Sequence, residues 1–216
     1  MKSIALCFLL LSSISCFADD TNVIAMSDWS DKVSFNDSEV RGRLLIVEGN
    51  EPAYAPPRPD EKHTMMFVEL QNVTGACCGS VKIYLHRNNL HLDLLDASGV
   101  HVQHPLGSRG GVPTTGANGW VVLPYNSTIR LFVQQGQLSP LTINAWTNNE
   151  MGVPEGPWTI EDSDTNVYYL CGTLTISTPT NGTLAVTPHE SGNDHSYADW
   201  SGKLVFPKTR ISPKKQ

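Results

Sequence analysis

Apolar and polar residues alternate with a period of two along most of this chain, the spacing that puts successive side chains on opposite faces of a β-strand. In one run Val81, Ile83 and Leu85 share a face while Lys82, Tyr84 and His86 share the other; Ile129, Leu131 and Val133 oppose Thr128 and Arg130 in the same way. The pattern predicts strands at Val40–Glu48, Met65–Val73, Val81–His86, Leu90–Leu95, Val100–Gln103, Trp120–Leu123, Thr128–Gln134, Leu141–Trp146, Val167–Ile176, Thr183–Thr187 and Lys203–Phe206. Helical spacing is nearly absent. Turn residues at Asp96-Ala97-Ser98-Gly99, Pro124-Tyr125-Asn126-Ser127 and Asn181-Gly182 separate apolar runs, so the expected fold is all-β, an antiparallel sandwich or barrel, with the antiparallel two-sheet β-sandwich as the expectation carried forward. Leu70, Ile83, Leu92, Leu131, Tyr169 and Leu174 take the apolar parity and are the expected core, and Cys171 joins them through the run Val167, Tyr169, Cys171.

Three stretches do not alternate. Glu51 to Lys62 holds Pro52, Pro56, Pro57 and Pro59 and reads as an extended connector, while His104 to Gly119 and Thr147 to Pro157 are long Gly- and Pro-containing loops. The division that follows is residues 1–18 as an export signal, 19–62 as an N-terminal strand with the Pro-rich connector, 63–207 as the sandwich and 208–216 as a basic tail. A short echo links Asp28-Trp29-Ser30-Asp31-Lys32-Val33 to Asp199-Trp200-Ser201-Gly202-Lys203-Leu204, as though both ends used a Trp to cover a sheet edge.

The first residues change the setting. Lys2, the apolar run Ile4 to Leu11 and Cys16-Phe17-Ala18 have the order of a secretory signal peptide cut ahead of Asp19. The mature chain, about 198 residues, is expected to be secreted or periplasmic, and it has no second apolar run long enough for a transmembrane segment. A lipidated Cys16 is the alternative, although Ser13 stands where an aliphatic residue would be needed. The 15 basic and 21 acidic residues give a net charge of −6, which argues against nucleic acid as a partner. Lys203, Lys208, Arg210, Lys214 and Lys215 nevertheless fall in an acid-free stretch at the end. Four sequons, at Asn36, Asn72, Asn126 and Asn181, would matter only in a eukaryotic secretory route.

Several phrases are packing phrases of one kind of domain: Phe67-Val68-Glu69-Leu70-Gln71-Asn72-Val73, Leu92-Asp93-Leu94-Leu95-Asp96-Ala97-Ser98-Gly99, Trp120-Val121-Val122-Leu123-Pro124, Ser127-Thr128-Ile129-Arg130, Tyr168-Tyr169-Leu170-Cys171-Gly172-Thr173-Leu174 and Trp200-Ser201-Gly202-Lys203-Leu204. In these the chain resembles an immunoglobulin-like β-sandwich of exported bacterial, planctomycete-type proteins. The resemblance implies a fold and a compartment and brings no activity with it.

Candidate chemistry is sparse. Gly107-Ser108-Arg109-Gly110 lacks the spacing of a nucleophile elbow, and Asp194, His195 and Ser196 are chain neighbours that point apart. Glu161, Asp162 and Asp164 read as turn acids. If Leu95 faces Val100 across the 96–99 turn, His91 meets His104 with Asp93 on the same face, a start for Zn or Cu. Trp120, Trp146 and Trp158 would suit a sugar-stacking platform or anchor the core. Cys77, Cys78 and Cys171 are the cysteines left after signal removal, and any two of them could form a disulfide. No cofactor motif is present. The expected role is non-enzymatic: a binding or structural interaction domain meeting a protein, the cell envelope or carbohydrate, with a carbohydrate-binding module or a metal-binding domain as the alternatives.

Overall fold

The computed structural model describes residues 22–49, 63–75, 79–85, 89–103, 119–137, 141–143, 158–177 and 197–211. These residues form thirteen strands and no α-helix. The longest hairpin is β3 (Ser38–Gly49) with β4 (His63–Asn72), in unbroken antiparallel register from Val40↔Asn72 to Gly49↔His63. β8 (Thr128–Gln137) extends this sheet beside β4, and β1 (Asn22–Met26) and β2 (Val33–Phe35) flank the other side of β3. β2 turns into β3 through Asn36 and Asp37, both with positive φ (47° and 61°). Two successive left-handed residues make the type I′ turn whose twist suits a two-residue hairpin, and Asn and Asp tolerate that conformation best after Gly.

A second sheet has the order β13 (Gly202–Ile211), β11 (Tyr168–Ile176), β6 (Leu90–Leu95). The third places β12 (Tyr197–Trp200) beside β5 (Ser80–Leu85) and β5 beside β7 (Gly119–Leu123); β9 (Leu141–Ile143) and β10 (Trp158–Ile160) form a small ribbon. β12 and β5 run parallel, and every other pairing among the described residues is antiparallel.

One apolar core joins the four sheets: Leu44, Ile46 and Leu70 from the first, Leu92, Leu170 and Phe206 from the second, Ile83 and Leu123 from the third, Ile143 and Trp158 from the ribbon. Each such side chain removed from water contributes about 1.5–3 kcal/mol. The first and second sheets approach closely where β13 crosses β3, and Gly42 makes room there: a Cβ at that position would lie 2.9 Å from the Phe206 ring. Trp200 is fully buried, with its indole N–H donating to the Val33 carbonyl at 3.3 Å. Its echo partner Trp29 is instead half-buried beneath Arg41 and Arg43, so the two ends of the chain use their Trp residues differently.

A buried polar clasp fixes how strands pass between sheets. Asn72, wholly buried, donates its amide to the carbonyls of Gly79 and Leu123, both at 3.1 Å, and its Oδ1 accepts from the Thr74 N–H at 3.1 Å. One side chain thus joins the end of β4, the approach to β5 and the end of β7, saturating polar groups that would otherwise be buried without partners.

Leu70, Ile83, Leu92 and Leu174 lie in the core as expected. Leu131 is only partly buried, packed on the rim of the core. Tyr169 and Cys171 require a correction of parity: Leu170, Gly172, Leu174 and Ile176 face inward, so Tyr169 and Cys171 point to the outer face and are half-buried. Leucines outbid a tyrosine and a thiol for the interior, and a bulge opposite Leu170/Gly172 keeps both halves of β11 in phase. The predicted strand Val100–Gln103 is reduced to a single bridge at His101. The predicted strand Thr183–Thr187 and the Pro-rich connector 51–62 lie outside the described residues.

Candidate functional site

The hairpin leaving β6 decides where the histidines stand. Asp96 Oδ1 accepts from the Ser98 N–H at 2.8 Å, the Ser98 hydroxyl at 2.6 Å and the Val100 N–H at 2.9 Å, while Gly99 has φ +84°. The Ser98 hydroxyl and then the Val100 N–H hold the Asp96 carboxyl below the usual carboxylate range. Asp96 N–H donates to Val100 O and Val102 N–H to Leu94 O, so the loop proper is the three residues Ala97-Ser98-Gly99 with Gly99 in the left-handed position. The bridge is therefore Leu95↔His101, one residue away from the Leu95–Val100 pairing expected from sequence.

That slip brings His101 to Asp93. His101 Nδ1 lies 3.4 Å and His91 Nε2 3.5 Å from Asp93 Oδ1 on the exposed side of β6. His104 falls outside the described residues. Among the described residues no group of three His, Cys, Asp or Glu side chains is placed to hold a metal ion. Cys171 sits opposite Asp93 on β11, with its thiol directed at the Asp93 carbonyl at 3.8 Å. Burial first, and the Asp93 charge second, push this thiol up, with Lys208 opposing them. Cys77 and Cys78 are outside the described residues.

The three tryptophans separate. Trp158 is buried, its indole N–H donating to the Val102 carbonyl at 3.0 Å, which ties the small ribbon to the segment after the turn. Trp146 lies outside the described residues. Trp120 is 37% exposed on the outer face of β7, and Val122, two residues on, is 39% exposed. Trp120 pairs in register with Tyr84 and Val122 with Lys82. The Tyr84 and Trp120 rings meet edge to face at 5.3 Å and 61°, and the Lys82 ammonium lies 4.7 Å from the Trp120 ring centre. An aromatic patch therefore stands on paired strands, with its rings fixed by cross-strand contacts.

The outer face of the first sheet holds a charged ladder that the sequence reading did not single out. Glu69, 3% exposed, accepts from Arg43 Nε at 2.6 Å and from Arg130 Nε at 2.9 Å; Arg41 Nε donates to Gln71 at 2.8 Å. Trp29 underlies Arg43 at 4.4 Å and Arg41 at 4.9 Å. Its signal was present as opposite charges on the polar parity of Arg41, Arg43, Glu69, Gln71 and Arg130, legible only once the strands were paired. With Arg41, Arg43 and Arg130 all engaged, the ladder reads as a clamp across three strands.

Comparison of the chain with protein-family models, with curated proteins and with solved structures finds no significant match.

Proposed function

We propose that this chain is an exported, non-enzymatic β-sandwich of immunoglobulin-like form that acts as a binding domain, meeting a protein or envelope surface through the outer face of β12, β5 and β7. The observation that supports this reading is the pairing of exposed Trp120 and Val122 with Tyr84 and Lys82 on adjacent strands. Aromatic and aliphatic side chains held rigid at a surface lose little entropy on being covered, and Trp and Tyr dominate the energetics of such contacts. A carbohydrate-binding module is the second reading, favoured by the exposure of Trp120. Against it, Lys82 occupies one face of the indole and Tyr84 meets Trp120 at 61°, so the two rings offer no continuous flat platform.

Co-sedimentation of the mature protein with purified cell envelopes of the source organism tests the proposal. The Trp120→Ala, Val122→Ser double variant is expected to bind at least about tenfold more weakly, a difference of ~1.4 kcal/mol, with its fold retained. Equal binding by the two proteins removes this face from the reading.

A further inference from the structure

A second surface has a different chemistry. On β13 a bulge beside Pro207 inserts one residue, because Leu170 pairs with Thr209 while Gly172 pairs with Phe206. Leu204, Phe206, Thr209 and Ile211 consequently face inward, and Lys203, Val205, Lys208 and Arg210 all stand exposed on the outer face. The row from Lys203 to Arg210 runs beside the β11 stretch from Thr175 to Tyr169, roughly 20 Å at about 3.3 Å per residue. Next to it on β11 come the hydroxyls of Tyr169, Thr173 and Thr175, with Tyr169 opposite Arg210, Thr173 opposite Val205 and Thr175 opposite Lys203. The outward acid of β6 is Asp93, already in contact with His91 and His101. Among the described residues none of Lys203, Lys208 and Arg210 is in an ion pair. The chain as a whole carries −6, so this row is a local reversal of sign, and the sequence continues it with Lys214 and Lys215.

We propose that the outer face of β13 and β11 binds a linear acidic polysaccharide, whose carboxylates or sulfates meet Lys203, Lys208 and Arg210 while its hydroxyls bond the Tyr169, Thr173 and Thr175 side chains. A row of separated cations beside a row of hydroxyls matches a repeating chain that bears both groups. Val205, the one exposed aliphatic residue in the row, is too little apolar surface to enter a lipid layer. Basic residues and a proline on a long edge strand also discourage edge-to-edge association of sheets. That role predicts no preference for an acidic polymer, which separates the two explanations.

The test is affinity electrophoresis of the mature chain in native gels containing polygalacturonate or neutral dextran, with each mobility referred to a polymer-free gel. Polygalacturonate is expected to retard the wild type and dextran not to, and added salt should weaken the effect because the cations are exposed. The Lys203→Ala, Lys208→Ala, Arg210→Ala variant should bind at least about tenfold more weakly. The charge-keeping Lys203→Arg, Lys208→Arg, Arg210→Lys variant should remain retarded, which excludes loss of fold as the cause. Trp120→Ala, Val122→Ser should behave as wild type here, so failure of this proposal and failure of the envelope-contact reading are distinguishable. No retardation of the wild type, equal retardation of the alanine variant, or binding to anionic phospholipid vesicles without binding to polygalacturonate would overturn it.

Discussion

At the scale of single residues, the most consequential side chain is Asn72, which no motif marks. Its amide reaches the carbonyls of Gly79 and Leu123 at the third sheet, and its own carbonyl oxygen accepts locally from the Thr74 N–H. Asn72→Ala leaves two carbonyls and an N–H without partners, so urea unfolding should show a loss of about 3 kcal/mol; a loss within ~0.5 kcal/mol would mean water replaces the clasp. The same burial leaves no room for a glycan on Asn72 in this packing, because its amide nitrogen is committed to two carbonyls. Cys171 stands half-buried on the outer face of β11 and not in the core expected of it. Since burial and the Asp93 charge raise its pKa, the thiolate fraction near neutral pH lies below that of an unperturbed cysteine and grows only as pH rises further. Alkylation should accordingly be slow at pH 7.5 and accelerate with pH, faster in Asp93→Asn and slower in Lys208→Ala. The reverse order for those two variants would contradict the placement of Cys171 between β6 and β13.

At the scale of elements, alternation in the sequence was enough to find β3, β4, β5, β6, β7, β8 and β11 to within a few residues at each end, because each buries one face. It passed over β1, β2, β10 and β12, whose three to five residues are too few to establish a period. It also misjudged β11, where Tyr169 and Leu170 both suit a core and only pairing with the neighbouring strands decides between them. The β6 hairpin shows the same limit on a functional question. Asp96 through Gly99 was legible as a turn, but whether three or four residues form the loop depends on Asp96 capturing three donors, and that one residue brings His101 toward Asp93. A strong Hα–Hα nuclear Overhauser effect between Leu95 and His101 is the expected mark of this register, since facing residues at such a site lie about 4.5 Å apart; the same contact between Leu95 and Val100 would restore the other. Gly42 is the element-scale counterpart in packing. Gly42→Val would drive two methyl groups into Phe206, Leu70 and Leu204, and denaturant unfolding should report a loss of roughly 1–3 kcal/mol, whereas an unchanged midpoint would show that the two sheets do not meet there.

At the scale of the whole molecule, four sheets share one apolar core and turn chemically different outer faces to solvent: a closed Arg–Glu–Trp clamp, an aromatic patch and a cationic row. The core was readable from sequence because apolar parity reports burial directly. The faces were not, since each is assembled from residues distant in the chain, Tyr84 with Trp120 and Glu69 with Arg130 among them. Trp158 shows the converse, a tryptophan whose sequence suits a platform but whose indole is spent on the Val102 carbonyl. Binding through an outer sheet face is the central claim, and hydroxyl-radical footprinting of the protein lacking residues 1–18, with and without envelopes, tests it most directly. The account predicts that oxidation of Trp120 and Tyr84 falls several-fold when envelopes are present while the half-buried Trp29 is unchanged. Undiminished oxidation of Trp120 in the presence of saturating envelopes would contradict it.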